Sequence, residues 1–346
     1  MMNLEKEIRQ QPEVLAKIKE NNIDTIRALV AEIKARGLNH VYFAARGTSD
    51  HASIYAQYLL GIYAGIPCSL ATPSVVSKYG AKINLKNSVV IGVSQSGKAE
   101  DVLSVMRQAK EDGTIVVAVT NEAESSMAKE AMYHLYCGAG KETSIAATKT
   151  FTSQMYLLAL LCAEWSGSSE LSALLDKVPG GAAKLLDTMP SQIDRIVARY
   201  RYLTDAVVLA RGINYPIALE GALKILETNR VRMKGYAISD FYHGPLAQVS
   251  ENSLSFVIAA EGPMLEDAIA MVEKLNSIGA EVIVLTDSDK AAGLSPFTLK
   301  IPALGSDVVS PYLFAMTMQL FAMKLTQIKG LDPDVSPVLN KVTITK

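Results

Sequence analysis

Val89-Val90-Ile91-Gly92-Val93-Ser94-Gln95-Ser96-Gly97-Lys98 passes from an unbroken apolar run to a polar loop closed by glycine. Behind it, Val102, Val105, Met106 and Ala109 recur at helical spacing, and Ile115 to Val119 forms a second apolar run. A buried strand, a loop, an amphipathic helix and another strand are expected in succession. Val41 to Ala45 repeats this grammar, ending in Arg46-Gly47-Thr48-Ser49-Asp50 before a helical pattern. Alternating strands and helices imply an α/β fold with a parallel, doubly wound sheet.

The unit occurs twice. Ala45-Arg46-Gly47 returns as Ala210-Arg211-Gly212, 165 residues on, while Gly113 and Thr120 return as Gly279 and Thr286 at an offset of 166. With 346 residues and a prior of roughly 150 per domain, two tandem domains fit the length. The expected order is an N-terminal helical segment over 1–37, a first domain over 38–165, a helical connector over 166–200, a second domain over 201–330 and an extended tail over 331–346. Ser166-Gly167-Ser168-Ser169 and Pro179-Gly180-Gly181 punctuate the connector, and Pro333 and Pro337 mark the tail.

Composition narrows the function. The chain is 49% hydrophobic and 20% charged with a net charge of -1, and no basic block points to nucleic acid. Cys68, Cys137 and Cys162 show no C-x-x-C spacing, and the four histidines, His40, His51, His134 and His243, have no ligand-spaced partner. No metal and no cofactor are expected. The amino terminus lacks a signal-peptide core, and Met155 to Ala163 is too short to span a bilayer, so a soluble, cytoplasmic protein is expected.

Ser94-Gln95-Ser96-Gly97 brings backbone N–H groups, two hydroxyls and a helix N-terminus to one place, which suits a phosphate. A plain turn and helix cap explains the same residues equally well. Arg46-Gly47-Thr48-Ser49 adds a second polar loop at the carboxyl end of a strand, where open α/β sheets bind ligands. At the repeat offset the first loop becomes Ala260-Glu261-Gly262, which has lost both hydroxyls, so one phosphate site per chain is expected. Neither loop has the glycine pattern of a nucleotide site, which favours a small phosphate ester.

In the second copy, Asn214 is placed to cap a helix with Pro216 in its first turn, and Glu220, Lys224 and Glu227 then share one face. A solvated Glu-Lys pair is the simple alternative. Further on, His243 stands in a glycine-proline turn rather than an apolar run, and Glu with His suits proton transfer between adjacent sugar carbons. A lysine could form a Schiff base with a carbonyl.

Five segments, Ser94-Gln95-Ser96-Gly97, Ala147-Thr148-Lys149-Thr150-Phe151, Tyr215 to Lys224, His243-Gly244-Pro245-Leu246-Ala247 and Leu339-Asn340-Lys341, resemble the double sugar-isomerase (SIS) domain family. Within it they are similar to the isomerase half of glutamine:fructose-6-phosphate aminotransferase. The resemblance runs from about residue 38 to the C-terminus. It implies two tandem flavodoxin-like domains, with Thr48, Ser49, Ser94, Gln95 and Ser96 holding the phosphate of a sugar phosphate and main chain near Ile145 and Ala147 touching the sugar. It also implies that Glu227 shuttles the proton, Lys224 assists, Lys341 bonds the ketose carbonyl and His243 opens the ring from a neighbouring subunit. A homodimer with a shared active site follows.

The chain departs from that pattern. It begins Met1-Met2-Asn3 with no glutaminase domain expected, which leaves any ammonia source open. Arg46, Ala99 and Ala147 replace a cysteine, a threonine and a serine of the aminotransferase pattern. Arg46 to Ala52, Pro73-Ser74-Val75-Val76 and Ala146 to Lys149 look more like stand-alone glucosamine-6-phosphate deaminases of this fold. The expected function is therefore an aldose-ketose isomerase of an amino-sugar 6-phosphate that releases ammonia, with Arg46 and Gly47 added to the substrate loop. Arg230, Arg232 and Lys234 suggest as alternative a deglycase of phosphorylated sugar-amino-acid adducts. An ammonia-fed synthase subunit and a silent sugar-phosphate sensor complete the set.

Overall fold

The apolar, β-branched runs become strands, and the amphipathic segments between them become helices. The structure, a computed structural model, describes all residues except Met1, Pro337, Asn340 and 342–346. Along the chain, α1 (Asn3–Arg9) and α2 (Gln11–Ala35) precede β1 (His40–Ala44), α3 (Thr48–Leu59), β2 (Cys68–Leu70), α4 (Pro73–Ser77), β3 (Ser88–Ser94), α5 (Glu100–Glu111), β4 (Ile115–Thr120), α6 (Ser126–Glu130), β5 (Tyr133–Tyr136), α7 (Lys149–Ser166) and α8 (Ser169–Leu175). Then follow α9 (Val178–Asp194), β6 (Asp205–Ala210), α10 (Tyr215–Asn229), β7 (Arg232–Ala237), α11 (Ile238–Phe241), β8 (Leu254–Ala259), α12 (Leu265–Ile278), β9 (Glu281–Thr286), α13 (Asp289–Ala292), β10 (Phe297–Lys300) and α14 (Ser310–Ile328).

Two compact units result. The first comprises Glu13–Glu142 and Lys149–Asp176 together with Lys341. The second comprises the residues up to Pro12, Thr143–Thr148 and Lys177–Leu339. Each unit is thus discontinuous in sequence, with the short segment Thr143–Thr148 belonging to the second.

The first sheet is all parallel in the order β2-β1-β3-β4-β5. Every residue of β3 and β4 is buried, as expected for central strands covered on both faces. On one face Tyr42, Ala44, Val90, Val116 and Ala118 pack under Val102, Val105, Met106 and Ala109 of α5, the helical stripe read from the sequence. On the other, α3 packs on α7.

The second sheet, β10-β9-β8-β6-β7, is the same topology read from the other edge. Val207, Leu209, Val257 and Val284 meet α12 on one face. On the other, α10 packs against α14, and α14 against α9. Phe256 of β8 meets Phe321 of α14 edge-on, with ring centroids 5.1 Å apart at 83°.

Two local expectations change. Pro179-Gly180-Gly181 is not a break: Pro179 lies in the first turn of α9, where its missing N–H costs nothing, and the glycines run inside that helix. Gly181 leaves room for Leu304, since a Cβ there would lie 2.5 Å from a Leu304 methyl and displace it. Asn214 does not cap α10; it ends a 3₁₀ turn over Gly212–Asn214 and its side chain makes no cap hydrogen bond. Pro216 does occupy the first turn. In the tail, the described residues after Gly330 form no helix or strand, and Pro337 lies outside the described residues.

Phe321 is fully buried and contacts the rings of both Phe256 and Tyr200. Phe321→Ala is expected to lower unfolding free energy by about 3–5 kcal/mol, measured by denaturant titration.

Candidate functional site

In the first unit, the loops after β1 and β3 stand side by side because these strands pair, Ala44 opposite Gly92. The helices that follow go to opposite faces, which opens a crevice at the carboxyl ends of the two strands. One flank carries Arg46, Gly47, Thr48 and Ser49, the last two opening α3. The other carries Ser94, Gln95 and Ser96.

The second loop is held from three sides. Gly97 N–H donates to Ser94 Oγ at 3.2 Å, Asn121 N–H to the Gln95 carbonyl at 3.0 Å and Met127 N–H to the Gly97 carbonyl at 3.1 Å. Gly97 has φ +61°, and a Cβ there would sit 2.2 Å from Ser125 Oγ, so only glycine fits. Gln95 and Ser96 are half-buried.

Arg46 is tied across the crevice. Its Nε donates to the buried Asp101 carboxylate at 2.6 Å, in the first turn of α5, while half of the guanidinium side chain stays exposed. The second unit repeats the device: Arg211 at the end of β6 pairs with Asp267 in the first turn of α12 at 3.1 Å. The pair therefore belongs to the architecture of both switch points, and Arg46 is anchored before any ligand arrives.

The two switch points differ in how they treat an anion. In the second unit the Glu261 N–H is already taken by the Asp287 carboxylate at 2.7 Å. At the repeat offset Asp287 corresponds to Asn121 of the first unit. Burial, with Glu261 and Asp307 nearby, holds the Asp287 carboxyl above the usual aspartate range.

The stripe on α10 is not a solvated face. Lys224 and Glu220 are fully buried, and the Lys224 ammonium lies 3.2 Å from Glu220 and 2.7 Å from Glu227, whose side chain is one-fifth exposed. Burial alone would favour the neutral amine, but the two carboxylates outweigh it and hold Lys224 above its ordinary range. A protonated lysine locked this way is unsuited to Schiff-base attack; it fixes and charge-balances Glu227. A buried ion pair is weak evidence for stability, so such a cluster at the end of a helix marks a candidate site.

His243 is exposed after α11, its backbone N–H bonded to the Asp240 carbonyl at 3.0 Å. Among the described residues no hydrogen bond or ion pair joins it to Lys224 or Glu227. Lys341 belongs to the first unit, where its Nζ donates to Glu142 at 2.9 Å. Glu142 is fully buried and also accepts from the Thr150 N–H at 3.2 Å and hydroxyl at 2.7 Å, so it joins Lys341 to the amino end of α7. Asn340 lies outside the described residues. Ile145 and Ala147 are half-buried in the Thr143–Thr148 segment of the second unit.

Sequence reading missed Asp101 and Glu142. Asp101 carried a signal, because it recurs as Asp267 at the same offset as Gly113 and Gly279. Glu142 meets Lys341 across 199 residues, and no local pattern announces it. Among the described residues no group of three or more His, Cys, Asp or Glu could hold a metal, and no helix is long and apolar enough to cross a membrane.

Removing one member of the α10 cluster has unequal costs. Lys224→Met leaves two carboxylates facing each other, one fully buried, and is expected to destabilise by about 3–5 kcal/mol in a denaturant titration. Glu227→Gln keeps a hydrogen-bond acceptor beside Lys224 and is expected to cost under about 1.5 kcal/mol. Asp287→Asn, which restores the first unit's residue, should raise the thermal midpoint near neutral pH. A raised native-state pKa penalises the ionised form, so this gain should fade as pH falls through the raised pKa.

The SIS domain family model matches residues 20–163 and 204–326. The isomerizing glutamine–fructose-6-phosphate aminotransferase of Gloeobacter violaceus is 32% identical over 343 residues, covering 95% of this chain and 56% of that protein. The chain thus spans about half the length of the curated relatives it matches. The C-terminal domain of glucosamine-fructose-6-phosphate aminotransferase from Francisella tularensis superposes with a TM-score of 0.84 at 26% identity, covering 97% of this chain and 98% of that one. Glucosamine-6-phosphate deaminase from Thermotoga maritima shares the fold with a TM-score of 0.79 at 23% identity, covering 99% and 100%. One family match falls on each sheet, and the chain belongs to the SIS domain family.

Proposed function

We propose that this chain is a phosphosugar isomerase acting on an amino-sugar 6-phosphate and releasing its nitrogen as ammonia. The observation that carries this reading is Glu227, a partly exposed carboxylate fixed by the buried Lys224 ammonium at 2.7 Å. Membership of the SIS family and the isomerizing aminotransferases among its relatives support the substrate class.

In this reading Thr48, Ser49, Ser94, Gln95 and Ser96 hold the phosphate, with Arg46 adding charge from its anchored guanidinium. His243, supplied by a partner copy in a homodimer, opens the sugar ring. Glu227, one-fifth exposed and so able to exchange with water, takes the proton from carbon 2 of the open-chain aldose and delivers a solvent-exchanged proton to carbon 1. The product is an imine at carbon 2, which water hydrolyses to the ketose and ammonia. Lys224 holds Glu227 in place. Lys341 meets the carbonyl oxygen, and Ile145 and Ala147 contact the sugar through main chain.

A second reading, release of an amino acid from a phosphorylated sugar adduct, has its own support. A cavity of about 320 Å³ is lined by Leu226, next to Glu227, and by Arg232 and Lys234, which suit a carboxylate.

Purified protein incubated with glucosamine 6-phosphate should yield ammonia and fructose 6-phosphate in equal amounts. Free amino acid from a fructosyl-amino-acid 6-phosphate, without ammonia from the amino sugar, would select the second reading. Turnover of neither would overturn both. Ser96→Ala should raise KM roughly tenfold or more through loss of a hydrogen bond to a charged group.

A further inference from the structure

We propose that Glu7, on the N-terminal helix, is a positioning residue that fixes the sugar-contacting segment around Ile145 and Ala147. The functional meaning rests on the site reading above, whereas the contact itself does not. Glu7 is 3% exposed. One carboxylate oxygen accepts from the Thr143 N–H and from the Thr143 hydroxyl at 3.0 Å. The other accepts from the Ser144 N–H at 3.2 Å and from the Ser144 hydroxyl, which also lies 3.0 Å from the Ala146 carbonyl. Four donors from two consecutive residues converge on one buried anion, and charge-assisted bonds of this kind are about twice as strong as neutral ones.

The segment it holds has no regular secondary structure between Glu142 and the start of α7 at Lys149. Glu7 supplies the acceptor for the Thr143 and Ser144 N–H groups, and a buried backbone donor left without one is costly. The burial pattern alternates: Ser144, Ala146 and Thr148 are buried, while Ile145 and Ala147 remain half-exposed. Anchoring the inward set fixes the direction of the outward set. Glu7 itself stands on a fixed backbone. Asp334 accepts from the N–H groups of Asn3 at 2.6 Å and Leu4 at 3.0 Å, and Gln11 just beyond α1 bonds Gln319 of α14 at 2.8 Å. Leu4 and Ile8 of α1 are buried. Helix α1 is therefore a strut between α14, the tail and the segment that carries Ile145 and Ala147.

The test compares wild type with Glu7→Gln, which presents an amide N–H₂ where one pair of donors needs an acceptor. Hydrogen exchange followed by mass spectrometry should show amides 143–148 exchanging about tenfold faster or more, with amides 94–97 unchanged. Kinetically, KM for the sugar phosphate should rise about tenfold while kcat stays within about threefold. Ser144→Ala cuts the same contact from the loop side and should reproduce both effects if Glu7→Gln folds poorly. Unchanged exchange over 143–148 in a folded variant would overturn the anchoring. Faster exchange with an unchanged KM would overturn the link to the sugar. If wild type turns over no sugar phosphate, the functional reading fails, and the exchange result still decides whether Glu7 holds the segment.

Discussion

Reversal of strand order between β1 and β3 is the constraint from which the phosphate loop follows. Parallel strands need right-handed crossovers, so helices that leave neighbouring strands in opposite lateral directions must lie on opposite faces of the sheet. Their first turns then separate, and the strand ends between them are left uncovered. The loops Arg46–Ser49 and Ser94–Gly97 occupy that gap because no helix can. Gly97 turns the second loop where a Cβ would strike Ser125, and Arg46 is tethered to Asp101 across the opening.

Duplication gives an internal comparison. Both sheets have one topology, and both switch points keep the Arg-Asp tether, Arg46 with Asp101 and Arg211 with Asp267. The two differ in what the free N–H groups meet. Asn121 in the first unit is uncharged and its side chain bonds the backbone of Ala139 and Gly140, whereas Asp287 in the second supplies an internal carboxylate to the Glu261 N–H. The second unit instead buries charge in α10, where Lys224 is enclosed by Glu220 and Glu227. Desolvating three charges is tolerable because they are close and of alternating sign.

Short-range pattern made the strands, the repeat and the Ser94–Gly97 loop legible. β3 and β4 are apolar throughout and bounded by polar loops, and their ends fall within a residue of the expected ones. Spacing also put Glu220, Lys224 and Glu227 on one face, but could not show that Glu220 and Lys224 are buried once α10 packs between β7 and α14, a helix about a hundred residues later. Asn214 has the residue type of a cap, yet the chain enters α10 through a 3₁₀ turn, so its side chain is not in capping geometry. Glu7 reads as one charge on an amphipathic helix. Its partners Thr143 and Ser144 lie 136 and 137 residues away, and nothing local encodes that meeting.

In the proposed reaction a carboxylate held by a buried lysine moves a proton between adjacent sugar carbons. Deuterium uptake from D₂O into carbon-bound positions of the sugar phosphate, followed by mass spectrometry or proton NMR, reads this step independently of later hydrolysis. Wild type should incorporate one deuterium at the isomerising carbons, and Glu227→Gln, while still binding the sugar phosphate, should slow incorporation by about a hundredfold or more. Incorporation at the wild-type rate in Glu227→Gln would contradict the account.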